Sequence, residues 1–477
     1  MDTKQYPDWV LKHKRKGTQV HRIKDKYYLY EVTSKWDPQL KRAKKITTAY
    51  LGRISREGLK KSTVERYKPT SIKEYGAATY IIEDNKIIIS TLKKYFPTFY
   101  SEIFILSVLR FFYHCPLKSM GIYYADSWLS EEFIGARLSK DFLTHILEVV
   151  GHRREDIVSF LKEFIGGEEK LLIDLTHIFT KSKTVNLAQK GYNSDLEFIP
   201  QVNLLFIFSS SGRLPLFYRL LPGSVRDVAT MAATIAQAGI SEVIIIADKG
   251  FYSESNIGLL KDNNLSYIIP LKRGSTLIDT GILEKGTKAS FEGYFKFGGR
   301  YIFYYRCEST IPVYVYLDDE LKVQEVKDYL SRIETHPELG YSLDNFKKLE
   351  HSFGTISLVT DLGEPAPKIY SYFKTRVGVE QAFDAFKNTI SADRSYMRND
   401  FSMEGWMFIN YLALLYYYKI YNRLLDKKLL SRYSPSDVIL HLSRCRKART
   451  KDGWIDLEIP KQTRMLAENL GVILPIT

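Results

Sequence analysis

The chain has 477 residues, 45% of them hydrophobic, enough to bury a large core and to suggest two to four folding units rather than one. Its formal charge of +14 sits at the two ends: residues 1–75 hold twenty Lys or Arg against eight Asp or Glu, residues 427–451 hold eight against one, and the remaining chain carries about −5. No apolar run follows Met1, the stretch from Trp406 to Tyr418 is interrupted by Asn410 and falls short of the roughly 20 residues a bilayer crossing needs, and Cys115, Cys307 and Cys445 fit neither a disulfide framework nor a zinc spacing, so an intracellular protein with cysteines used for packing is expected.

Residues 1–75 read as a basic, β-rich segment: Lys26 to Val32 favours a strand, and Ile46 to Leu51 is an apolar run ending at Gly52. Tyrosines lie here among Lys and Arg. That mixture suits nucleic acid, where bases stack and phosphates pair, and it equally suits the core of a small sheet. Over residues 76–166 the spacing of Phe142, Ile146 and Val149, and of Ile157, Phe160, Leu161 and Phe164, predicts helices, with Ser139 as an N-cap. Core packing is the default for such stripes, and a helical cluster beside a basic segment also suits DNA binding.

The centre predicts three successive strands, Leu171 to Asp174, Val202 to Phe208 and Leu214 to Leu221, the last two joined by Ser209-Ser210-Ser211-Gly212. A helix over Asp227 to Ala238 follows, then the strand Val243 to Asp248, a helix capped by Ser253, and the strand Tyr267 to Leu271. The order is β-β-β-α-β-α-β, and apolar strands without alternation predict central strands covered on both faces. Between residues 273 and 353, Phe295 to Phe297, Tyr301 to Tyr305 and Ile311 to Leu317 around a Gly298-Gly299 turn predict an inserted β-rich unit. Thr355 to Val359 returns as a strand, a long helix runs from near Glu364 through Asn388, and Trp406 to Tyr421 reads as a helix packed under the sheet. A basic segment, 426–477, closes the chain.

On the long helix Arg376, Glu380 and Lys387 are spaced by four and seven residues, which at roughly 100° per residue sets them within about 40° of one another. Alone, Arg376 and Glu380 are as well explained by an i,i+4 ion pair on a solvated face. Asp174 and Asp248 alter that balance, because each closes an apolar strand, and the carboxyl ends of parallel strands converge on one edge of an open sheet. Carboxylates brought together repel unless a cation neutralises them; hard divalent ions with oxygen ligands do so, and two of them about 4 Å apart can clamp both oxygens of an in-line phosphoryl displacement. Asp at a strand end is also a common turn former, so geometry alone leaves the metal site open. His177, three residues past Asp174, reads as a packing or hydrogen-bonding residue. No Gly-x4-Gly-Lys-Ser/Thr loop, Gly-x-Ser-x-Gly elbow or His-Glu-x2-His pattern supports ATP use, serine hydrolysis or zinc proteolysis.

The stretch Tyr372-Phe373-Lys374-Thr375-Arg376-Val377-Gly378-Val379-Glu380, continued to Lys387, resembles the Tyr-x2-Arg-x3-Glu-x6-Lys motif of insertion-sequence DDE transposases of the IS-four-like family. Ala247-Asp248-Lys249-Gly250-Phe251-Tyr252-Ser253 resembles the block around that family's second acid, and Leu172-Ile173-Asp174-Leu175-Thr176 its first-acid strand. Between them Gly191-Tyr192-Asn193-Ser194-Asp195, Leu214-Pro215-Leu216 and Leu221-Pro222-Gly223-Ser224 with Asp227 follow the family order, over roughly residues 170–425. The resemblance implies an α/β fold: a ribonuclease H-like mixed sheet flanked by helices over 167–272 and 354–425, interrupted by the β-rich insertion. It implies Asp174, Asp248 and Glu380 as catalytic metal ligands, two Mg²⁺ ions with Mn²⁺ as a substitute, and Arg376, Lys387, Tyr372 and Lys249 as contacts to DNA phosphates. The partners implied are double-stranded DNA, as transposon ends and target, and a second copy of the chain in a homodimer, in the cytoplasm with the nucleoid. The expected activity is cleavage at transposon ends and strand transfer into target; a nuclease of the same fold that cuts without joining, or a non-catalytic DNA-binding derivative, remain alternatives. Two departures stand out: the motif tyrosine position holds Phe373, with Tyr372 one place earlier, and Lys249 replaces the family's Arg, keeping charge but losing the planar fork.

Overall fold

The computed structural model describes residues 6–37, 42–61, 69–166, 171–191, 199–209, 212–225, 228–240, 243–247, 249, 251–336, 340–390, 392 and 394–472, with the side chains of 37, 61, 174, 377–380, 382, 383 and 394 left out of the description. At the N-terminus, α1 (Asp8–Leu11) precedes the antiparallel sheet β1 (Thr18–Ile23), β2 (Lys26–Asp37), β3 (Arg42–Ser55) and β4 (Gly58–Lys61), ordered as in sequence. Side chains alternate across a strand, so register decides which tyrosine goes where. Val20 pairs with Leu29 and Tyr27 with Ile54, and Val10, Val20, Leu29 and Ile54 are buried on that face, with Tyr6, Trp9 and Tyr27 packed against them. His21 pairs instead with Tyr28, and Tyr30 with Tyr50, on the opposite face, where the rings of His21, Tyr30 and Tyr50 run 5.0 and 5.2 Å apart. Of the two uses of aromatic residues foreseen for this segment, the small sheet's own core is the one formed, on the face of Val20 and Leu29.

After β5 (Ser71–Glu74) come seven helices: α2 (Gly76–Asp84), α3 (Lys86–Tyr95), α4 (Tyr100–Tyr113), α5 (Met120–Asp126), α6 (Leu129–Glu132), α7 (Lys140–His152) and α8 (Arg154–Lys162). Their apolar stripes are consumed by packing. Ile146, Ile157, Phe160 and Leu161 are buried in the same core as the central sheet, and α4 and α7 lie against the long helix α15 (Asp400–Asp426).

The central sheet contains β6 (Leu171–Thr180), β7 (Gln201–Ser209), β8 (Pro215–Pro222), β9 (Val243–Ile246) and β10 (Ser266–Pro270), with α9 (Val228–Ala238) and α10 (Glu254–Asp262) in the crossovers. Ser253 caps α10 as predicted, accepting from the Asn256 amide. Next along the chain are α11 (Gly281–Lys285), β11 (Gly293–Phe297), β12 (Arg300–Cys307), β13 (Val313–Asp318), α12 (Asp319–Thr335), α13 (Leu343–Leu349) and β14 (Thr355–Thr360). Spatial order is β11-β12-β13-β14-β10-β9-β6-β7-β8; β6, β9 and β10 are mutually parallel and the other neighbours on this path antiparallel. The protein is thus a mixed α/β fold with helices against a mixed sheet. The strands between 273 and 353 extend that sheet through β13 and β14 rather than forming a separate layer, and the same stretch carries α12, whose N-cap Asp318 accepts from the Glu320 and Leu321 amides.

α14 (Ala366–Asp384) is followed by a π-helical turn, Ala385–Thr389, and β15 (Arg394–Ser395). In α15, Gly405 faces Gly151 of α7: a Cβ on Gly405 would lie 2.0 Å from the Leu147 carbonyl oxygen, and one on Gly151 1.8 Å from that of Phe401, so only glycines let these backbones approach so closely. Among the described residues no helix is long and apolar enough to cross a membrane, and all three cysteines are buried and unbridged. The chain ends with α16 (Pro435–Leu442), β16 (Arg446–Thr450), β17 (Gly453–Asp456) and α17 (Lys461–Leu470). β16 pairs with β17 and with β5, so the two basic ends of the sequence meet in one sheet. Glu74, at the end of β5, is buried there; it accepts from the Ala77 and Ala78 amides at 2.6 and 3.2 Å and from the Ser127 hydroxyl.

Candidate active site

The sequence predicts a strand ending at Asp174. The structure corrects this: β6 runs to Thr180, and Asp174, paired with Phe206 of β7, lies within it. The strand continues because β7 pairs with it from Leu171 to Phe179. On its other edge, β9 pairs only with Leu171, Leu172 and Ile173, and β15 only with Phe179 and Thr180. Among the described residues no strand occupies that edge from Asp174 to Ile178. Asp174 is thus the first residue of β6 beyond its parallel partner, at the upper corner of a gap in the sheet.

α14 packs against β6, and it and the turn that follows are tied at two points, one beside the end of β9 and one within the gap. Arg376, half-buried, points an Nη1 at the carbonyl oxygen of Ala247, 3.5 Å away, one residue before Asp248. Beyond the end of α14, Lys387 Nζ lies 3.5 Å from Nε2 of His177, a buried residue of β6 whose ring is tilted against that of Phe179. Glu380 lies in α14 between these two ties, about 6 Å along the helix axis from Arg376. The side chains of Asp174 and Glu380, and Asp248 with Tyr192 to Asp195, Asp227 and Gly250, lie outside the described residues. Among the described residues no cluster of His, Cys, Asp or Glu has metal-binding geometry; the three predicted ligands do not belong to that set.

The constant pitch of 100° per residue assumed for Arg376, Glu380 and Lys387 holds only as far as Asp384. Past Asp384 the helix widens into the π turn, closed by the Ile390 amide donating to the Ala385 carbonyl at 2.8 Å. The widening accompanies burial of Phe386, whose ring meets Phe206 of β7 edge-on at 5.6 Å. Tyr372 and Phe373 are both partly buried against the core, Lys368 lies over the Tyr372 ring at 6.0 Å, and Lys249 is exposed just past β9.

Arg110 is a residue the sequence does not mark. It is 3% exposed on α4, and its guanidinium donates to Asn410 Oδ1 at 3.0 Å, to the Cys115 carbonyl at 2.9 Å and to the Ile390 carbonyl that ends the π turn, while lying 4.8 Å from the Trp406 ring centroid. Burial pulls its pKa down to about 10, which still leaves it a cation at neutral pH. Its only sequence signal is a cation inside the apolar run Ser107 to Phe112. Arg154 is similar: it donates to Glu404 at 2.7 Å and to the Tyr218 carbonyl at 2.7 Å, fastening α8 to both α15 and β8.

The model of the transposase DDE domain family matches residues 165–416, more than half of the chain. The chain belongs to this family. No curated protein matches the sequence. Among solved structures, the piggyBac transposase synaptic complex with hairpin DNA aligns over 79% of this chain and 76% of its own, with 13% identity and a TM-score of 0.38. The Drosophila P element transposase strand transfer complex aligns over 70% and 84%, with 12% identity and a TM-score of 0.21. The Mos1 transposase paired-end complex with left transposon end aligns over 32% and 53%, with 16% identity and a TM-score of 0.14. The matched segment of this transposase begins just before β6 and ends within α15, so it contains the gap, the β9 edge and α14. The protein is a transposase, an enzyme that acts on DNA.

Proposed function

We propose that this transposase cuts DNA at transposon ends and joins the freed 3′ ends to target DNA, with Asp174, Asp248 and Glu380 as the carboxylates of one metal-dependent centre. The observation that carries the reading is the double tie of α14 and the turn that follows it, beside the end of β9 and within the gap in β6. Arg376 reaches the residue before Asp248, Lys387 reaches the residue three past Asp174, and Glu380 lies between. Strand order and direction from β8 to β10 support a ribonuclease H-like core over 167–272 and 354–425, and the Arg376, Glu380, Lys387 spacing supports the Tyr-Arg-Glu-Lys motif of the IS-four-like family.

Three carboxylates without His or Cys form the oxygen-only donor set that hard divalent cations take, so the residues fit Mg²⁺, with Mn²⁺ as a substitute. A bound pair of such ions would neutralise the attacking and leaving oxygens of an in-line displacement at phosphorus. The chain's own part is positioning. Arg376, Lys387, Lys249 and Tyr372 hold phosphates of double-stranded DNA along the gap, Arg376 through a fork that can engage two oxygens. His177, whose Nε2 lies 3.5 Å from the Lys387 Nζ, keeps Lys387 over the sheet edge. Phe373 packs against the core and leaves the phosphate contact to Tyr372. Joining two ends implies a homodimer, in the cytoplasm and on the nucleoid.

The test is single-turnover cleavage and strand transfer on end-bearing duplexes with and without Mg²⁺. Glu380→Ala is expected to bind DNA nearly as the parent does and to cut none of it. Loss of both would give Glu380 a structural role, and cutting without any joined product from pre-cut ends would make the enzyme a nuclease.

A further inference from the structure

The hairpin of β2 and β3 outruns its sheet. β1 pairs with β2 only over Lys26–Glu31, ending at the Thr18–Glu31 pair; β4 pairs with β3 only over Gly52–Ser55. The Val32 amide still reaches the Gly17 carbonyl, at 2.8 Å, and beyond it Thr33–Asp37 and Arg42–Ile46 form a two-stranded ribbon with no third strand among the described residues. Both of its faces meet solvent: Thr33, Ser34, Lys35 and Trp36 are exposed, as is every residue from Arg42 to Thr48, with Trp36 at 62% and Ile46 at 39%.

A ribbon that buries nothing is marginal in water. Charge makes this one worse. Register sets Lys35 directly across from Lys44, and like charges at opposed positions weaken strand pairing. Thr33 and Ile46 form the next pair on the same face, while Trp36 pairs with Ala43, and Lys45 with Ser34, on the other. One face thus carries two opposed lysines, a hydroxyl and an apolar side chain, at a cost in stability that a polyanion would remove. The major groove of duplex DNA, about 12 Å wide, admits a two-stranded ribbon, and its floor offers acceptors to lysine and thymine methyl groups to apolar side chains.

We propose that the β2–β3 ribbon is a DNA-binding arm lying in the major groove of duplex DNA, its Lys35, Lys44, Thr33 and Ile46 face toward the base edges and its Trp36 face outward. This rests on the reading that the chain works on DNA and is independent of the metal centre. The full-length chain is titrated with a mixed-sequence duplex, and methylation of guanine N7, a major-groove atom, is mapped on the complex. Lys35→Gln combined with Lys44→Gln is expected to weaken duplex binding at least about tenfold and to lose part of the N7 protection. Because the substitution removes a repulsion, the thermal midpoint should not fall, which separates loss of contact from loss of fold. Trp36→Ala, on the outward face, should bind and protect within about twofold of the parent, the spread expected for a residue making no base contact. Parental affinity and protection in the lysine variant overturn the proposal, as does an equal loss in Trp36→Ala, or single-stranded DNA bound as tightly as duplex. Cleavage is followed in parallel at saturating duplex: a parent that binds through the ribbon but never cuts would sink the metal centre and leave the arm standing.

Discussion

Glu74→Gln probes the joint where the two basic ends of the chain meet. Burial, opposed by the amides of Ala78 and Ala77, the Ser127 hydroxyl and the charge of Arg446, pushes the Glu74 carboxyl up from its ordinary 4.5 to about 7. A folded-state pKa above the unfolded one means that the folded protein holds the proton more tightly. The stabilisation is complete below about pH 4.5 and is lost as pH rises through about 7. That gap corresponds to about 3 kcal/mol, or roughly a hundredfold in a local opening equilibrium. Glutamine keeps an acceptor for the Ala77 and Ala78 amides but cannot ionise. Hydrogen exchange at those two amides, compared between variant and parent at each pH, cancels the intrinsic rate. The ratio of parental to variant exchange should climb by about two orders of magnitude between pH 5 and pH 8. A ratio that stays flat over that range would refute the argument that burial outweighs the three hydrogen bonds and Arg446.

Arg110→Met leaves the Ile390 and Cys115 carbonyls and Asn410 without a buried donor, at a cost of about 3 kcal/mol or more; the thermal midpoint should fall, and cleavage should fall further than DNA affinity, because the end of the π turn after α14 is released. Gly405→Ala sets helix propensity, which favours alanine by about 1 kcal/mol, against a Cβ 2.0 Å from the Leu147 carbonyl oxygen, an overpacking of about 1–3 kcal/mol or more. Sterics should win and the thermal midpoint should drop, whereas a rise would show that α7 and α15 can separate cheaply.

What the sequence makes legible, and what it hides, follows from how local each determinant is. The apolar runs of β6, β7, β8, β9 and β10 are readable because strands buried on both faces need no alternation. The length of β6 is not: Leu175 to Phe179 stay extended because β7 pairs with them, a contact set by chain twenty or more residues away. The site therefore looks like a strand end in sequence and is the corner of a gap in the sheet. The Arg376, Glu380 and Lys387 spacing is visible on any helical wheel, yet the wheel assumes a constant pitch, and packing of Phe386 on Phe206 accompanies a wider turn that contains Lys387. α12 illustrates a local signal outweighed by its neighbours, since the Asp318 cap is present in a stretch whose aromatic alternation otherwise predicts only strands. Tyr27 and Tyr28 cannot be told apart by composition; the pairing of β1 with β2 sends one to the core and the other to the open face. Arg110 finds two of its three partners at residues 390 and 410, so the cation in its apolar run does not say what it holds.

Metal rescue tests the central claim most directly. In Asp248→Cys a thiolate replaces a carboxylate, and Mn²⁺ tolerates sulfur better than Mg²⁺ does. If Asp248 is a metal ligand, the variant should bind duplex as the parent does, fail to cut it in Mg²⁺ and regain cutting in Mn²⁺; parental cleavage by the variant in Mg²⁺ would contradict the account.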